Sequence, residues 1–208
     1  MSDEALQTVQ ARSGKRRRET TIADVLDATR RLLRSGIPVS RLSVERIVAE
    51  AGIARATFYL HFSDKHALIA RLAEDEVAWR DEIGAEVLAG PGLTRATLEA
   101  MMKVIVDRWV AERAVLAAII ELAEYDPQVS VIWRSAMRAV ADKAAVQFHA
   151  RWAADDVNRP ADPTTVAEIF TWMFERCCHQ MVRDGARAEA VAASMAEIIW
   201  RVLNYSAA

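Results

Sequence analysis

Ser43-Val44-Glu45-Arg46-Ile47-Val48-Ala49-Glu50-Ala51-Gly52-Ile53-Ala54-Arg55-Ala56-Thr57-Phe58-Tyr59-Leu60-His61-Phe62-Ser63 is the stretch that decides the fold. Ser43 is a strong helix N-cap residue, and Val44, Ile47, Val48 and Ala51 follow at three- and four-residue steps, so a short amphipathic helix is predicted from Ser43. Gly52 then suits the left-handed position that ends a helix. A second short helix is expected from about Arg55 to His61, with Phe58 and Phe62 four apart. Two helices joined this way form a helix-turn-helix. Gly52 lets the chain reverse without a Cβ clash, and Ile53 fills the space between the helices. The second helix is held proud, so its first residues reach base edges in a major groove. Short helix pairs are common in all-α proteins, so the surrounding residues have to support the reading.

Outward from this stretch the chain reads as helix throughout. Nearly one residue in five is Ala, and only 7 Gly and 5 Pro interrupt. No short alternating run of Val, Ile or Thr bounded by turns appears, so no strand is predicted. A helix is expected from about Thr21 to Arg34, with Ile22, Val25, Leu26, Thr29, Leu32 and Leu33 on one stripe and Thr20 or Thr21 as N-cap. Gly36 and Pro38 end it. Downstream, Ser63 is expected to cap a helix reaching about Leu88, and five more are placed near residues 93–110, 112–124, 127–154, 163–183 and 187–204. Gly90-Pro91-Gly92, the segment from Asn158 to Pro163, and Gly185 are the breaks. The fold class is therefore all-α, with about nine helices. An N-terminal three-helix helix-turn-helix unit at residues 20–66 precedes a helical body at residues 67–208. Residues 1–19 lack apolar content and are expected to be a disordered basic arm.

The formal net charge of the 208 residues is −2, which by itself argues against a nucleic-acid partner. The distribution argues the other way. Residues 1–66 carry 12 Lys/Arg against 8 Asp/Glu, a net of +4, whereas residues 67–208 carry 15 against 21, a net of −6. Arg12, Lys15, Arg16, Arg17 and Arg18 put five positive charges into seven residues. A basic arm and small basic unit before an acidic remainder point to two jobs in one chain. No run approaches a membrane span, and the start lacks a signal peptide's apolar core, so no membrane partner is expected and the expected compartment is the cytoplasm. Cys177 and Cys178 are adjacent and form no disulfide framework.

The run from Ser43 to Leu68 closely resembles the DNA-binding signature of TetR-type bacterial regulators, and the likeness extends from Thr21 to Leu68. It includes Thr57-Phe58-Tyr59-Leu60-His61-Phe62, then Lys65 and Leu68. The resemblance implies a double-stranded DNA operator as partner. Arg55 and Thr57, at the exposed start of the third helix, are the candidates for base reading. Tyr59, His61 and Lys65 match positions that contact phosphate in the family, with Lys65 also in the first turn of a helix whose amides could receive a phosphate. Ser43 and Thr21, each at an expected helix start, are further phosphate candidates. Lys15, Arg16, Arg17 and Arg18 are expected to add affinity through phosphates or a minor groove. The family often has Ser or Thr where this chain has Ala54, which cannot cap the third helix.

Beyond residue 68 the resemblance is architectural. It implies a small effector held between the body helices, with the last two helices forming a homodimer interface. Apolar residues recur on helical faces there: Met102, Ile105 and Trp109; Trp133, Met137, Phe148 and Trp152; Phe170 and Phe174. Each alone reads as core. Together with six Trp and seven Met they read as lining for an adaptable apolar pocket. A weaker likeness to the ethionamide-resistance repressor branch rests on Trp133, on Met173-Phe174-Glu175-Arg176 and on Trp200. That branch tends to place Asn at the positions of Thr171 and Phe174, so a more apolar effector is expected here. Ala188, Ala192, Ala193 and Ala196 allow close helix approach and are the expected dimer contacts.

Glu175, Cys177, Cys178 and His179 invite a metal or redox reading, but adjacent helical cysteines point about 100° apart and usually serve as small core residues. No phosphate loop, zinc helix motif or nucleophile elbow appears, so no enzyme, cofactor or metal is expected. The function expected is a ligand-responsive homodimeric repressor on a palindromic operator. A helical bundle that binds a small molecule without DNA, and a transcriptional activator, are the alternatives.

Overall fold

A computed structural model describes residues 3–88, 94–154, 162–182 and 185–204, and among these every regular element is a helix. The first, α1, runs Asp3–Arg34, far longer than the segment expected from Thr21. The stretch expected to be a disordered arm continues this helix back to Asp3. Apolar content decides whether a segment is buried, whereas Arg, Lys, Glu and Ala favour helix without burial. Lys15 and Glu19 add an i, i+4 pair at 3.9 Å. Thr20 and Thr21 consequently lie inside a helix and cap nothing: their hydroxyls donate to the carbonyls of Arg16 and Arg17, each at 3.0 Å.

The last four turns of α1 bury Val25, Leu26, Ala28, Thr29 and Leu33. Gly36, at φ 90°, turns the chain into a single 3-10 turn at Val39–Arg41 that the sequence pattern did not reveal. Then come α2 (Val44–Ala51) and α3 (Arg55–Tyr59). Ser43 caps α2 as expected, its hydroxyl accepting from the Arg46 amide. Gly52 adopts φ 67°, ψ 30°, and the Ile53 amide reaches back to the Val48 carbonyl at 3.0 Å. Ala54 offers α3 no side-chain cap.

Next is α4 (Lys65–Leu88). Its cap is Asp64 rather than Ser63, because the Asp64 carboxylate sits 2.8 Å from the Ala67 amide. The body continues with α5 (Arg95–Ala111), α6 (Arg113–Ala123), α7 (Pro127–Ala154), α8 (Pro163–Met181) and α9 (Gly185–Leu203). Gly185 opens α9 instead of breaking the chain. Asp126 and Asp162 cap α7 and α8 through the Val129 and Thr165 amides, at 3.0 and 2.7 Å. Gly90-Pro91-Gly92 and residues 158–161 of the expected loops lie outside the described residues.

One apolar core runs without interruption from Val25 of α1 through Ile47, Phe58, Leu68, Leu98, Ile119 and Trp133 to Ala196 of α9. The expected division between residues 66 and 67 falls in the first turn of α4, which both units share. A chain of charges fastens α1 to the body. Arg34 meets Glu112 at 2.6 Å, and Arg108 meets Glu112 at 3.6 Å and Glu76 at 2.8 Å. The Arg108 guanidinium also lies 4.9 Å from the Trp79 ring centre. Arg30 of α1 meets Asp75 of α4 at 3.0 Å. Glu76 and Glu112 are almost fully buried, so these pairs are shielded from solvent in a way surface pairs are not.

Candidate nucleic-acid interface

The exposed surface of the helix-turn-helix is built from the first turn of α2 and from α3. Phe58 is fully buried, and Phe62 nearly so, with ring centres 5.4 Å apart. This anchors α3 by one face and leaves Arg55, Ala56 and Tyr59 pointing outward. The Arg55 guanidinium is held from two sides. One Nη donates to the Glu45 carboxylate of α2, and the other donates to the Tyr59 hydroxyl at 3.2 Å. The guanidinium lies 5.6 Å from the Tyr59 ring centre. Glu45 is in turn held at the α2 N-terminus. Its carboxyl lies below the ordinary range, first because of its own backbone amide, then because of the Ser43 hydroxyl and the Arg55 charge. The Arg55 value is raised first by the Tyr59 hydrogen bond and then by Glu45.

Ser43, Arg55 and Tyr59 thus come together around Glu45. Thr57 is half-buried on the same short helix. His61 is half-buried, and its Nδ1 atom is enclosed without a hydrogen-bond partner. Two other candidates, Thr21 and Lys65, are engaged within the chain. Thr21 stands in mid-helix with its hydroxyl on the Arg17 carbonyl, so no helix start lies there to receive a phosphate. The Lys65 ammonium donates to the carbonyls of Val39 and Leu42, both at 3.2 Å, and so fastens α4 to the 3-10 turn. Asp64 already occupies the Ala67 amide with a negative charge, which disfavours an anion at the α4 start. Lys15, Arg16, Arg17 and Arg18 are exposed on the free turns of α1.

In the body, the residues expected to line one pocket divide between two clusters. Met102, Trp109, Trp133 and Met137 are buried in the main core, with Ile105 and Phe174 packed against it. Phe148 and Trp152 belong to a second cluster at the far end, with Phe170 stacked on Phe148 at 5.8 Å. The alanines expected at a dimer interface lie mostly inside the chain. Ala188, Ala192 and Ala196 are buried there, on a helix that lies close against α5, whereas Ala193 is exposed. What α8 and α9 leave uncovered is larger: Ile169, Trp172, Met181 and Ile198. An open hollow of about 560 Å³ runs along α8 between Thr165 and Arg176, lined by Ile169, Trp172 and Met173.

Glu45 is the interface residue that sequence reasoning missed. Ten residues separate it from Arg55, and only the reversal at Gly52 brings the two together. The available signal was an acid in the first turn of one helix and a base in the first turn of the next.

A three-helix unit with a helix-turn-helix is fastened to a body of long helices. Residues 25–72 match the family model of bacterial regulatory proteins of the tetR family. The N-terminal unit therefore carries the tetR-family domain signature, and the whole chain has a TetR-type fold. It is similar to Salmonella enterica GusR, at 19% identity over 89% of this chain and 96% of that chain, with a TM-score of 0.71. It is also similar to the transcriptional regulator FadR of Bacillus subtilis in complex with stearoyl-CoA, at 13% identity over 86% and 98% of the two chains and a TM-score of 0.72. A TetR-family regulator from Agrobacterium tumefaciens gives 19% identity over 87% and 98%, with a TM-score of 0.69. A search of curated protein sequences gave no significant match. No helix among the described residues is long and apolar enough to cross a membrane.

Proposed function

We propose that the protein is a homodimeric repressor that binds a palindromic operator through α3 and releases it when a small apolar effector enters the body. The observation that carries this reading is the tetR-family match at residues 25–72, which coincides with the outward-facing Arg55 and Tyr59 of α3. Residues 20–66 act as the reader and residues 67–208 as the ligand-binding and dimerisation unit. Arg55 and Thr57 read bases, Ser43, Tyr59 and His61 meet the backbone, and the basic turns of α1 add phosphate contacts. A second copy covers Ile169, Trp172 and Ile198, so the exposed apolar side chains of α8 and α9, with Ala193 among them, form a four-helix dimer seam. The effector is apolar because the lining it would meet is Met, Trp, Ile and Phe. The acyl-CoA ligand of the similar B. subtilis FadR supports that chemistry.

The test is selection from a random duplex library by the full chain. Recovery of a palindrome with half-sites about one helical turn apart supports the proposal. Arg55→Ala should then weaken binding to the selected duplex and relax preference at one position. An unenriched library, or unchanged affinity and preference in the Arg55 variant, overturns it. Quenching of tryptophan fluorescence by fatty acids of graded chain length, in step with loss of the duplex, tests the effector class. Trp172→Glu should give a monomer in light scattering.

A further inference from the structure

Arg55 is an exposed side chain, yet it is not free. Its guanidinium carries five N–H groups. One Nη hydrogen goes to Glu45 and one from the other Nη goes to Tyr59. A single acidic residue at this surface is otherwise a handicap, since its charge repels the phosphates on which DNA affinity depends. Glu45 is exposed, so burial does not explain it, and its carboxylate is tied to the α2 start as well as to Arg55. We propose that Glu45 is the specificity-determining positioning residue of this surface: it holds Arg55 in one orientation and cancels its charge, so that Arg55 binds guanine in preference to phosphate.

Two physical consequences follow from the pairing. An unrestrained arginine donates to any nearby phosphate, whereas one fixed by Glu45 and Tyr59 keeps three N–H groups for an acceptor of matching geometry. Guanine O6 and N7 form such an acceptor pair, and a backbone phosphate displaced along the strand does not. The ion pair also has no net charge, so Arg55 adds little to counterion release on arbitrary sequence. Glu45 therefore lowers non-specific affinity more than specific affinity, and the difference appears as discrimination.

This inference rests on the proposal that α3 reads duplex DNA. The experiment uses the full chain, the duplex selected by it, and the same duplex with the guanine of the Arg55 position replaced. Loss of preference in Arg55→Ala establishes the reader independently of Glu45. Glu45→Gln is expected to bind the replaced duplex more tightly. Its ratio of specific to non-specific affinity should fall by about tenfold. Its salt dependence on non-specific DNA should steepen by about one unit of slope. In an Arg55→Ala background Glu45→Gln should leave the ratio unchanged, because it acts through Arg55. Circular dichroism and thermal unfolding of each variant confirm that the helix pair is intact. A Glu45→Gln variant that loses specific and non-specific affinity in equal proportion would show a merely structural pair and overturn the inference. So would relaxed preference at a different base pair with unchanged salt slope, which would make Glu45 a base reader in its own right.

Discussion

At the residue scale the same side chains set local stability. Ser43 satisfies the Arg46 amide, so Ser43→Ala should cost about 1 kcal/mol in denaturant unfolding. Ala54 is the converse case. Its backbone is extended at φ −72°, ψ 147°, as an N-cap requires, but it has no hydroxyl to offer. Ala54→Ser should stabilise the protein by about 0.5–1 kcal/mol, read as a higher midpoint at unchanged slope. His179 adds a pH dependence. Burial first, then the positive charges of Arg176 and Arg113, depress its value, while Glu124 opposes them. Below the ordinary histidine value near 6.5 the unfolded chain takes up a proton that the folded chain refuses, so stability falls as pH drops through that region. Thermal midpoints of the wild type should therefore decline between about pH 7 and 5, and His179→Gln should flatten the decline. An identical profile in the variant would refute this assignment. Ser43, Arg55 and Tyr59 are legible as candidates through the resemblance to the TetR-type signature, and the structure gathers them around Glu45. Sequence could not show that Lys65 would turn onto Val39 and Leu42, since those carbonyls belong to a 3-10 turn with no periodic signature.

At the element scale, helix bodies were easy to read and helix starts were not. Expected and observed limits of α7 coincide at 127 and 154, because Asp126-Pro127 and a long periodic face mark it. The start of α1 is hard to read from sequence because the turns at residues 14–20 bury nothing, although charged side chains propagate a helix well. The reversal between α2 and α3 was legible, for only Gly52 tolerates φ 67° without strain. An added Cβ at Gly52 would meet nothing within 4 Å, so Gly52→Ala isolates the backbone cost. That cost should be about 1–2 kcal/mol. A loss much above this in urea unfolding would mean that neighbouring packing, not the left-handed turn, makes the glycine necessary. The alanine stripe of α9 was legible as a close-approach face, but sequence alone could not say which neighbour approaches. In the structure α9 lies close against α5, and the larger side chains Ile169, Trp172 and Ile198 are left outside.

At the scale of the whole molecule, reader and body are joined by buried charge as well as by apolar contact. Arg108→Met would leave Glu76 buried without its guanidinium partner and should cost about 3 kcal/mol or more. Adding Glu76→Leu should recover much of that loss, since a buried pair is replaced by packing. A double variant no better than the single would show that the pair organises more than its own contact. These partners lie 32 and 78 residues apart in the chain, too far for any local pattern to announce them. On the proposed reading, the sharing of α4 by both units has a further result on the DNA. No pliant segment separates the reader from the body, because Lys65–Leu88 is one helix and Arg34 and Arg30 brace α1 against the body. In a dimer built this way the two readers keep a fixed phase relative to each other. One base pair inserted at the centre of the operator moves the second half-site by about 3.4 Å and turns it by about a tenth of a revolution. A tethered reader would follow that change. A braced one cannot, so the inserted operator should be held by a single half-site, with a correspondingly faster dissociation in a kinetic binding assay.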